Sequence, residues 1–558
     1  MGEIAANTGR TRLRRPDAWT WGVLMIAALT ALPVLVVVSF LFQPAGEVLY
    51  HLAETVLADY VVNSLILMLG VAAGTLLLGV STAWLTSMCE FPGRRVFSWT
   101  LLLPLAIPAY IIAYTYTGLL EFEGPVQSTL RQWFDWRYGD YWFPEIRSLG
   151  GAILMLSLVL YPYVYMMARA AFLEQSHGVM EASRTLGNGP WSSFWRVALP
   201  LARPAVVTGL SLALMETLAD YGTVQHFGIS TFTTGIFRTW FGLGDSAAAA
   251  QLAAMLLAFV FALILVERWS RRRARFHHSG QRLQRPRRYR LSGAQRWLAM
   301  AACAVPLLLG FLLPAAQLLY WSLTTADTSF DSRFLGLTLN SLLLAGAAAF
   351  IAVALALFMA YGKRLRPGKT VALGVRLAAM GYAVPGTVIA VGVLLPLAWF
   401  DNTLDAWMRA TFGISTGLLL SGTVAALLFA YTVRFLSVSV QAVEAGLGKI
   451  RLSMDDAARS LGRRPLSVLR EIHLPLMKST VLTALLLVFV DVLKELPATL
   501  ILRPFNFNTL AVRAYEMAGD ERLADAGAPA LMIVAAGIIP IILLSRAITR
   551  GQPGTELT

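Results

Sequence analysis

The sequence predicts an all-α membrane protein of about twelve transmembrane helices, arranged as two parallel homologous halves. Three observations support this fold class. The 558 residues are 57% hydrophobic and only 14% charged, whereas soluble proteins carry about 25% charged residues. Apolar runs of the length that a bilayer requires, about 20 residues, recur along the whole chain. One polar segment also occurs twice, with the second copy 275 residues after the first.

Twelve apolar runs meet the length criterion for a spanning helix. The predicted spans are 19–42, 61–87, 97–120, 150–173, 203–222, 247–268, 297–321, 338–361, 371–399, 417–441, 477–499 and 527–548. The first run is too long for a cleavable signal peptide, and no small-residue cleavage site follows it. Cys89 lies in a short basic loop and Cys303 in an apolar run, so we expect no disulfide.

Basic residues fall in alternate loops, which predicts the orientation of the chain. Lysine and arginine cluster in the N-terminal segment, after the second, eighth and last spans, and in residues 271–290. If the N-terminus is cytoplasmic, all of these clusters are cytoplasmic, and so is the C-terminus. The net charge of +14 therefore indicates topology and contact with anionic membrane lipids. We expect no nucleic-acid partner.

The polar segment at 181–201 recurs at 456–476. Nine of the 21 positions are identical between the two copies, whereas unrelated segments would share one or two. Each copy belongs to a long predicted cytoplasmic loop, 174–202 or 442–476, and helix connections in bundles need only about 2–8 residues. Two long loops at symmetric positions suggest docking to a twofold partner.

Matches outside the loops extend the duplication to most of the chain. Asn63-Ser64-Leu65 recurs as Asn340-Ser341-Leu342, and Pro108 in the third predicted span recurs as Pro385 in the ninth. We expect both prolines to lie inside their helices as kinks. Six spans per half make the halves parallel repeats about an axis along the membrane normal. The expected domains are a first half at 1–270, a basic cytoplasmic linker at 271–296 and a second half at 297–558.

Each loop has the sequence of a short helix, a break and a second short helix. Gly187 and Gly462 suit the position just after a helix end, and Pro190 and Pro465 follow soon after. Later prolines, Pro200 and Pro475, suit the first turn of the next helix.

The pattern E-A-A-x3-G-x9-I-x-L-P resembles the cytoplasmic signature of binding-protein-dependent, type I ABC importer permeases. In that family the loop forms a coupling helix that sits in a groove of the ATPase subunit. The first copy has Ser for the second Ala and Val for Ile, and the second copy has Asp for Glu. The resemblance implies ATPase coupling through Glu181, Ala182, Ser183, Gly187 and Pro200, and through Asp456, Ala457, Ala458, Gly462 and Pro475.

The segments 491–500, 502–504 and 509–511 are similar to the fused permeases of ferric iron importers, and so are 215–223 and 233–236 in the first half. This resemblance implies ferric iron as cargo, a periplasmic solute-binding protein that delivers it, and two ABC ATPase subunits. It also implies a multi-pass protein of the bacterial inner membrane. Related thiamine permeases share the fused twelve-helix plan, so thiamine or another small solute stays open as the cargo.

Four acidic residues lie within predicted spans at positions matched between the halves: Glu216 with Asp491, and Asp220 with Glu495. Their i, i+4 spacing would place each half's two acids on one helix face. Ionisable groups inside a membrane are costly and suggest function. Either they line a translocation path or gate, or they pair internally, with Lys494 or Arg503, and hold the halves together.

Several motifs are missing from the sequence. It contains no phosphate-binding G-x-x-x-x-G-K-[ST] motif, no hydrolase or metalloprotease motif and no cluster of metal ligands. We therefore expect a pore subunit that is not an enzyme and binds no cofactor, with ATP bound by a partner. The alternative from another class is an ion-coupled secondary transporter that uses the four acids as proton sites, but it leaves the duplicated loops unexplained.

Overall fold

The structure is a computed structural model that describes residues 17–137, 139–174, 183, 185–187, 189–272, 288–326 and 332–550. Nine helices in those ranges are long and apolar enough to cross a membrane, or eleven if each of two bent helix pairs is one span. A shorter apolar helix, Gly527–Leu543, lies at the twelfth predicted span. The prediction of an all-α polytopic fold is confirmed.

The first half contains a two-residue strand, β1 (Cys89–Glu90), and a series of helices. These are α1 (Ala18–Ser39), α2 (Glu47–Thr55), α3 (Leu57–Met88), α4 (Arg94–Thr100), α5 (Ala109–Leu120), α6 (Pro125–Phe134), α7 (Leu149–Glu174), α8 (Pro190–Ser193), α9 (Leu199–Ala219), α10 (Gly222–His226), α11 (Phe232–Phe237) and α12 (Ser246–Arg272). Single 3-10 turns occur at Phe40–Phe42 and Leu103–Ala106, and π-helical turns at Phe194–Ala198 and Arg238–Gly242.

The second half begins with strand β2 (Tyr289–Arg290) and continues with helices. These are α13 (Ala294–Leu307), α14 (Leu313–Thr324), α15 (Ser332–Leu365), α16 (Lys369–Ala378), α17 (Gly386–Phe412), α18 (Val424–Gly448), α19 (Leu452–Ser460), α20 (Pro465–Val468), α21 (Leu474–Leu476), α22 (Lys478–Leu493), α23 (Pro497–Leu502), α24 (Leu510–Gly519) and α25 (Gly527–Arg550). A 3-10 turn occurs at Gly381–Ala383, and π-helical turns at Leu308–Leu312 and Leu469–His473.

The order of elements in the first half recurs in the second. Helices α3, α7 and α9 pack on one another, and so do their counterparts α15, α18 and α22. Even the π-helical turns that precede α9 and α21 recur at the same spacing of 275 residues. The two halves therefore share individual backbone turns as well as the order of their helices.

The first helix of each half packs against the other half. Helix α1 lies on α15, α16 and α17, where the Trp19 ring stacks on Phe358 with 4.8 Å between ring centroids. In return, α13 contacts α3 and α4, and α14 contacts α5. Tyr116 of α5 donates a hydrogen bond to the Leu309 carbonyl at 2.7 Å. This exchange interlocks the halves through buried surface, and hydropathy did not predict it.

Two predicted spans are broken, and the expectation of prolines inside continuous helices was wrong. Span 97–120 is divided into α4, a 3-10 turn and α5, and the helical segments on either side of Pro108 are bent by 91°. Span 371–399 divides in the same way before Pro385. Each proline immediately precedes a helix, with ψ of 144° and 143°. Proline suits this place because its fixed φ matches a helix start and it has no N–H to satisfy.

Strands β1 and β2 form a parallel pair that joins the loop after α3 to the start of the second half. Cys89 lies opposite Tyr289, and Glu90 lies opposite Arg290. Cys89 and Cys303 are both buried and unbonded, which agrees with the expectation of no disulfide. Burial raises the pKa of the Cys89 thiol to about 11.

Candidate functional site

The second long loop, residues 442–476, contains a short helix that ends at a left-handed glycine. Helix α19 is followed by Gly462, which has φ of +73°. The Gly462 amide donates to the Arg459 carbonyl, and the Arg463 amide to the Ala458 carbonyl, each at 3.0 Å. These two hydrogen bonds satisfy carbonyls at the end of the helix. The turn that makes them favours glycine, because a residue with a Cβ rarely adopts positive φ. Helix α20 then begins at Pro465, as the sequence predicts.

A buried polar cluster fixes α19 to the membrane helices. The Asp455 carboxylate lies 2.6 Å from the Arg364 guanidinium and 2.8 Å from His473 Nε2. Arg364 also donates to the carbonyls of Leu447 and Ile450, at 2.6 and 2.9 Å. The cluster joins the end of α15, the loop and the π-helical turn before α21. Sequence reasoning missed it, although Asp455 directly precedes the signature residue Asp456.

The signature residues of the second loop are mostly exposed. Asp456 and Ala457 are exposed, whereas Ala458 is buried. Asp456 forms an ion pair of 3.5 Å with Arg459, but solvent on both side chains makes such a pair weak. Pro475 is the exposed second residue of α21. The loop thus presents an exposed face on a base fixed by Asp455.

Much of the first loop, including Glu181 and Ala182, lies outside the described residues. Ser183 is buried, and its hydroxyl lies 2.9 Å from that of Ser193. Gly187 has φ of +79°, matching Gly462 of the second loop. Pro200 is the second residue of α9, as Pro475 is of α21.

Exposed apolar side chains occur at matched positions of the two loops. Leu186 and Leu461, the residues before the left-handed glycines, are each 80% exposed. Trp191 and Leu466 are a second matched pair, and both are largely exposed. Exposed apolar groups at equivalent places in two loops are typical of a protein-docking surface.

The four predicted acids line one cavity of about 110 Å³ between the halves. The first half supplies side chains from α5, α7 and α9, and the second half supplies them from α18, α22 and α23. Glu216 is 17 residues along from Leu199 at the start of α9, so it lies about 25 Å from the loop end of that helix. The acids that the sequence matched therefore lie together, far from the two long loops.

The acids do not share a helix face in pairs, so the i, i+4 interpretation was wrong. Helix α9 ends at Ala219, and α22 ends at Leu493. Asp220 and Glu495 consequently lie in breaks, after the helices that hold Glu216 and Asp491. The predicted spans 203–222 and 477–499 are shorter than expected at these ends.

Each break is stabilised by its own carboxylate. Asp220 accepts hydrogen bonds from the Thr223 hydroxyl at 2.9 Å and the Val224 amide at 3.1 Å. Glu495 accepts hydrogen bonds from the amides three and four residues later, both at 3.1 Å. These amides begin the short helices α10 and α23 and would otherwise lack acceptors. Each carboxylate therefore permits a helix to stop and restart inside the protein.

The acids of the second half are paired with cations. Asp491 lies 2.9 Å from Lys494, and Glu495 lies 2.9 Å from Arg434 of α18. Arg503, which the sequence offered as a partner, instead lies 3.0 Å from Glu516. In the described part of the chain, the Glu216 carboxylate makes no hydrogen bond and no salt bridge. Internal pairing with a cation thus applies to the acids of the second half, whereas Glu216 has no cation in contact with it.

Tyrosines complete the polar lining of the cavity. The hydroxyls of Tyr163 and Tyr382, one from each half, lie 3.5 Å apart. Tyr110 is 5% exposed, and its hydroxyl has no hydrogen-bond partner among the described residues. Tyr114, Tyr116 and Tyr221 are buried as well. No group of three or more His, Cys, Asp or Glu side chains that could hold a metal occurs within the described ranges.

Comparison with known proteins agrees with this architecture. Residues 4–276 match the family model "Binding-protein-dependent transport system inner membrane component". The Fe(3+)-transport system permease protein FbpB 2 of Haemophilus influenzae is 28% identical over 543 residues, which cover 96% of this chain and 99% of that protein. The molybdenum transport system permease protein ModB of Escherichia coli is 28% identical over 35% of this chain and 86% of its own length.

A third relative is the ferric transport system permease protein FbpB of Actinobacillus pleuropneumoniae. It is 25% identical over 73% of this chain and 59% of that protein. The similarity to FbpB 2 extends over 96% of the chain and therefore includes both halves. The chain is a membrane-spanning permease, a pore subunit and not an enzyme: its first half matches the family of binding-protein-dependent inner membrane components, and almost its whole length is similar to a permease named for Fe(3+) transport.

Proposed function

We propose that this chain is the permease of an ATP-driven ferric iron importer that receives its cargo from a periplasmic solute-binding protein. The observation that supports iron most directly is the likeness, over 96% of the chain, to a permease named for Fe(3+) transport. Iron is the cargo in this proposal, and ATP is bound by the partner subunits.

Two ATPase subunits would dock on the two cytoplasmic loops, one on each. Matched left-handed glycines and matched exposed leucines support this assignment. In the first loop the coupling residues would be Glu181, Ala182, Ser183, Gly187 and Pro200. In the second they would be Asp456, Ala457, Ala458, Gly462 and Pro475. Closure of the ATPases on ATP would press the loops together, and α9 and α22 would transmit the movement toward the cavity.

The four acids around the cavity would form the translocation path or its gate. Four carboxylates and two cations line this space, which leaves an excess of negative charge. Such a lining attracts cations and repels anions. It favours ferric iron over sulfate, the cargo named for a permease of Chlorokybus atmophyticus that is 24% identical over 37% of this chain.

The topology completes the proposal. The N- and C-termini would be cytoplasmic, and the Arg-rich linker at 271–296 would contact anionic lipids between halves at 1–270 and 297–558. The loops 174–202 and 442–476 would be cytoplasmic too, because they lie on the same side of the predicted spans as the clusters of basic residues.

Reconstitution tests the function. The chain would be placed in liposomes with its ATPase subunits and the binding protein encoded beside it, and uptake of radiolabelled ferric iron would be measured. ATP-dependent uptake supports the proposal, whereas uptake of thiamine would overturn the cargo and leave the permease role intact. Uptake that persists with a non-hydrolysing ATPase variant, but collapses with a protonophore, would support the secondary transporter.

A further inference from the structure

The cavity contains carboxylate charge that its own cations leave unneutralised. Lys494 and Arg434 each lie 2.9 Å from an acid of the second half. Asp220 uses its two oxygens to cap α10. Within the described residues Glu216 makes no ion pair and receives no hydrogen bond, and the two cations of the cavity are each in contact with another acid. One carboxylate of the four is therefore available to a ligand.

Neutral oxygen ligands surround the same space. Tyr163 and Tyr382 bring their hydroxyls within 3.5 Å of each other across the two halves. Tyr110 is 95% buried, and its hydroxyl has no partner in the part of the chain that the structure describes. A buried hydroxyl without a partner costs free energy, so its persistence points to a missing ligand. All three tyrosines and Glu216 line one cavity.

We propose that Glu216 and the hydroxyls of Tyr110, Tyr163 and Tyr382 form a transient, all-oxygen site for a hard trivalent cation as it passes between the halves. This inference rests on the proposed function, in which the cation is ferric iron. Carboxylate and phenol oxygens are hard donors that suit such an ion. Each coordinating phenol forms an iron–oxygen bond and releases its proton to water, and the iron remains ferric throughout.

The cations of the cavity make the site transient. Lys494 and Arg434 hold Asp491 and Glu495 in ion pairs and place positive charge beside the passing ion. Conduction requires a site that is favourable enough to enter and weak enough to leave. Removal of the Lys494 charge should therefore strengthen ion binding and slow its release.

Spectroscopic titration tests the site without reference to uptake. The full chain, purified with its ATPase subunits in lipid nanodiscs, would be titrated with ferric citrate, and phenolate-to-iron charge-transfer absorption would be recorded. The wild type should show a saturable band that weakens in Tyr163→Phe and Tyr382→Phe. Glu216→Gln should bind iron about tenfold more weakly. Lys494→Gln should bind it more tightly.

Exposed residues outside the cavity supply matched controls. Tyr320→Phe and Asp59→Asn change the same chemical groups at exposed positions and should leave the titration unchanged. A wild type without the band, or Glu216→Gln and Tyr382→Phe proteins that titrate like the wild type, overturns the site. If liposomes take up iron while the variants bind it normally, this inference alone fails. If the cargo is not iron, the proposed function fails with it.

Discussion

The Arg434 guanidinium donates a hydrogen bond of 2.9 Å to the Glu495 carboxylate at the point where α22 has ended and α23 has not begun. Both side chains are buried. Arg434 belongs to α18, and the residues that follow this helix belong to the second long loop. One ion pair therefore connects the helix that leads to the candidate coupling loop with the break that borders the cavity.

This ion pair predicts a large loss of stability when one partner is removed. Arg434→Met should lower the free energy of unfolding by about 3–5 kcal/mol, because it leaves a buried carboxylate without a counter-charge. The double variant Arg434→Met/Glu495→Gln should recover much of that loss. Thermal unfolding of the purified complex measures both effects. A single variant as stable as the wild type would show that Glu495 does not depend on Arg434.

The left-handed glycines predict a specific defect in coupling. Gly462→Val should keep the membrane part folded but weaken binding of the ATPase. The backbone at this position has φ of +73°, a conformation that costs a residue with a Cβ about 1–2 kcal/mol, so the turn of the loop should change. Gly187→Val should do the same in the first loop. Copurification of the ATPase, together with uptake, is the measurement.

Neighbouring glycines provide controls for that experiment. Gly189 and Gly448 also have open space where a Cβ would be, but neither has a positive φ. Gly189→Ala and Gly448→Ala should therefore retain ATPase binding. Normal association and uptake in Gly187→Val and Gly462→Val would refute the coupling assignment.

The turns in the two loops could be predicted from the sequence because they depend on residues close together in the chain. A helix end, a glycine and a proline at fixed spacing determine the turn at Gly462, and duplication makes the signal stronger. The end of α22 depends instead on a distant partner: Glu495 is stabilised by Arg434, 61 residues away. The packing of each half's first helix against the other half could not be predicted from the sequence either. Helix faces that contact lipid and helix faces that contact protein are both apolar and have the same hydropathy.

The exposed leucines predict a labelling pattern. Leu461→Cys should react readily with a maleimide in the isolated chain and become protected when the ATPase is added, because Leu461 is 80% exposed and belongs to the proposed docking face. Native Cys89 should stay unlabelled at neutral pH, since burial raises its pKa from 9.0 to about 11 and the thiolate is the reactive form. Mass spectrometry of labelled peptides distinguishes the two sites.

Two outcomes of the labelling would contradict this account. Equal labelling of Leu461→Cys with and without the ATPase would place docking elsewhere. Rapid labelling of Cys89 at neutral pH would mean that its thiol is accessible. The labelling of Cys89 in folded protein should increase only as the pH approaches its raised pKa.

Adjacent acids in the second loop should have separable roles. Asp455 is buried between Arg364 and His473, whereas Asp456 is exposed beside Arg459. Asp455→Asn should lower the free energy of unfolding by about 3–5 kcal/mol, because it leaves the buried Arg364 charge uncompensated. Asp456→Asn should change it by less than about 0.5 kcal/mol and should weaken ATPase binding instead.

Chemical unfolding and ATPase copurification, measured on the same two proteins, separate these roles. A stable Asp455→Asn protein would show that the buried cluster does not support α19. An Asp456→Asn protein that binds the ATPase normally would remove this acid from the docking face and leave Leu461 and Gly462 as its determinants. The two residues are neighbours in sequence, so the contrast between them depends on burial, which places one acid in the base of the loop and the other on its surface.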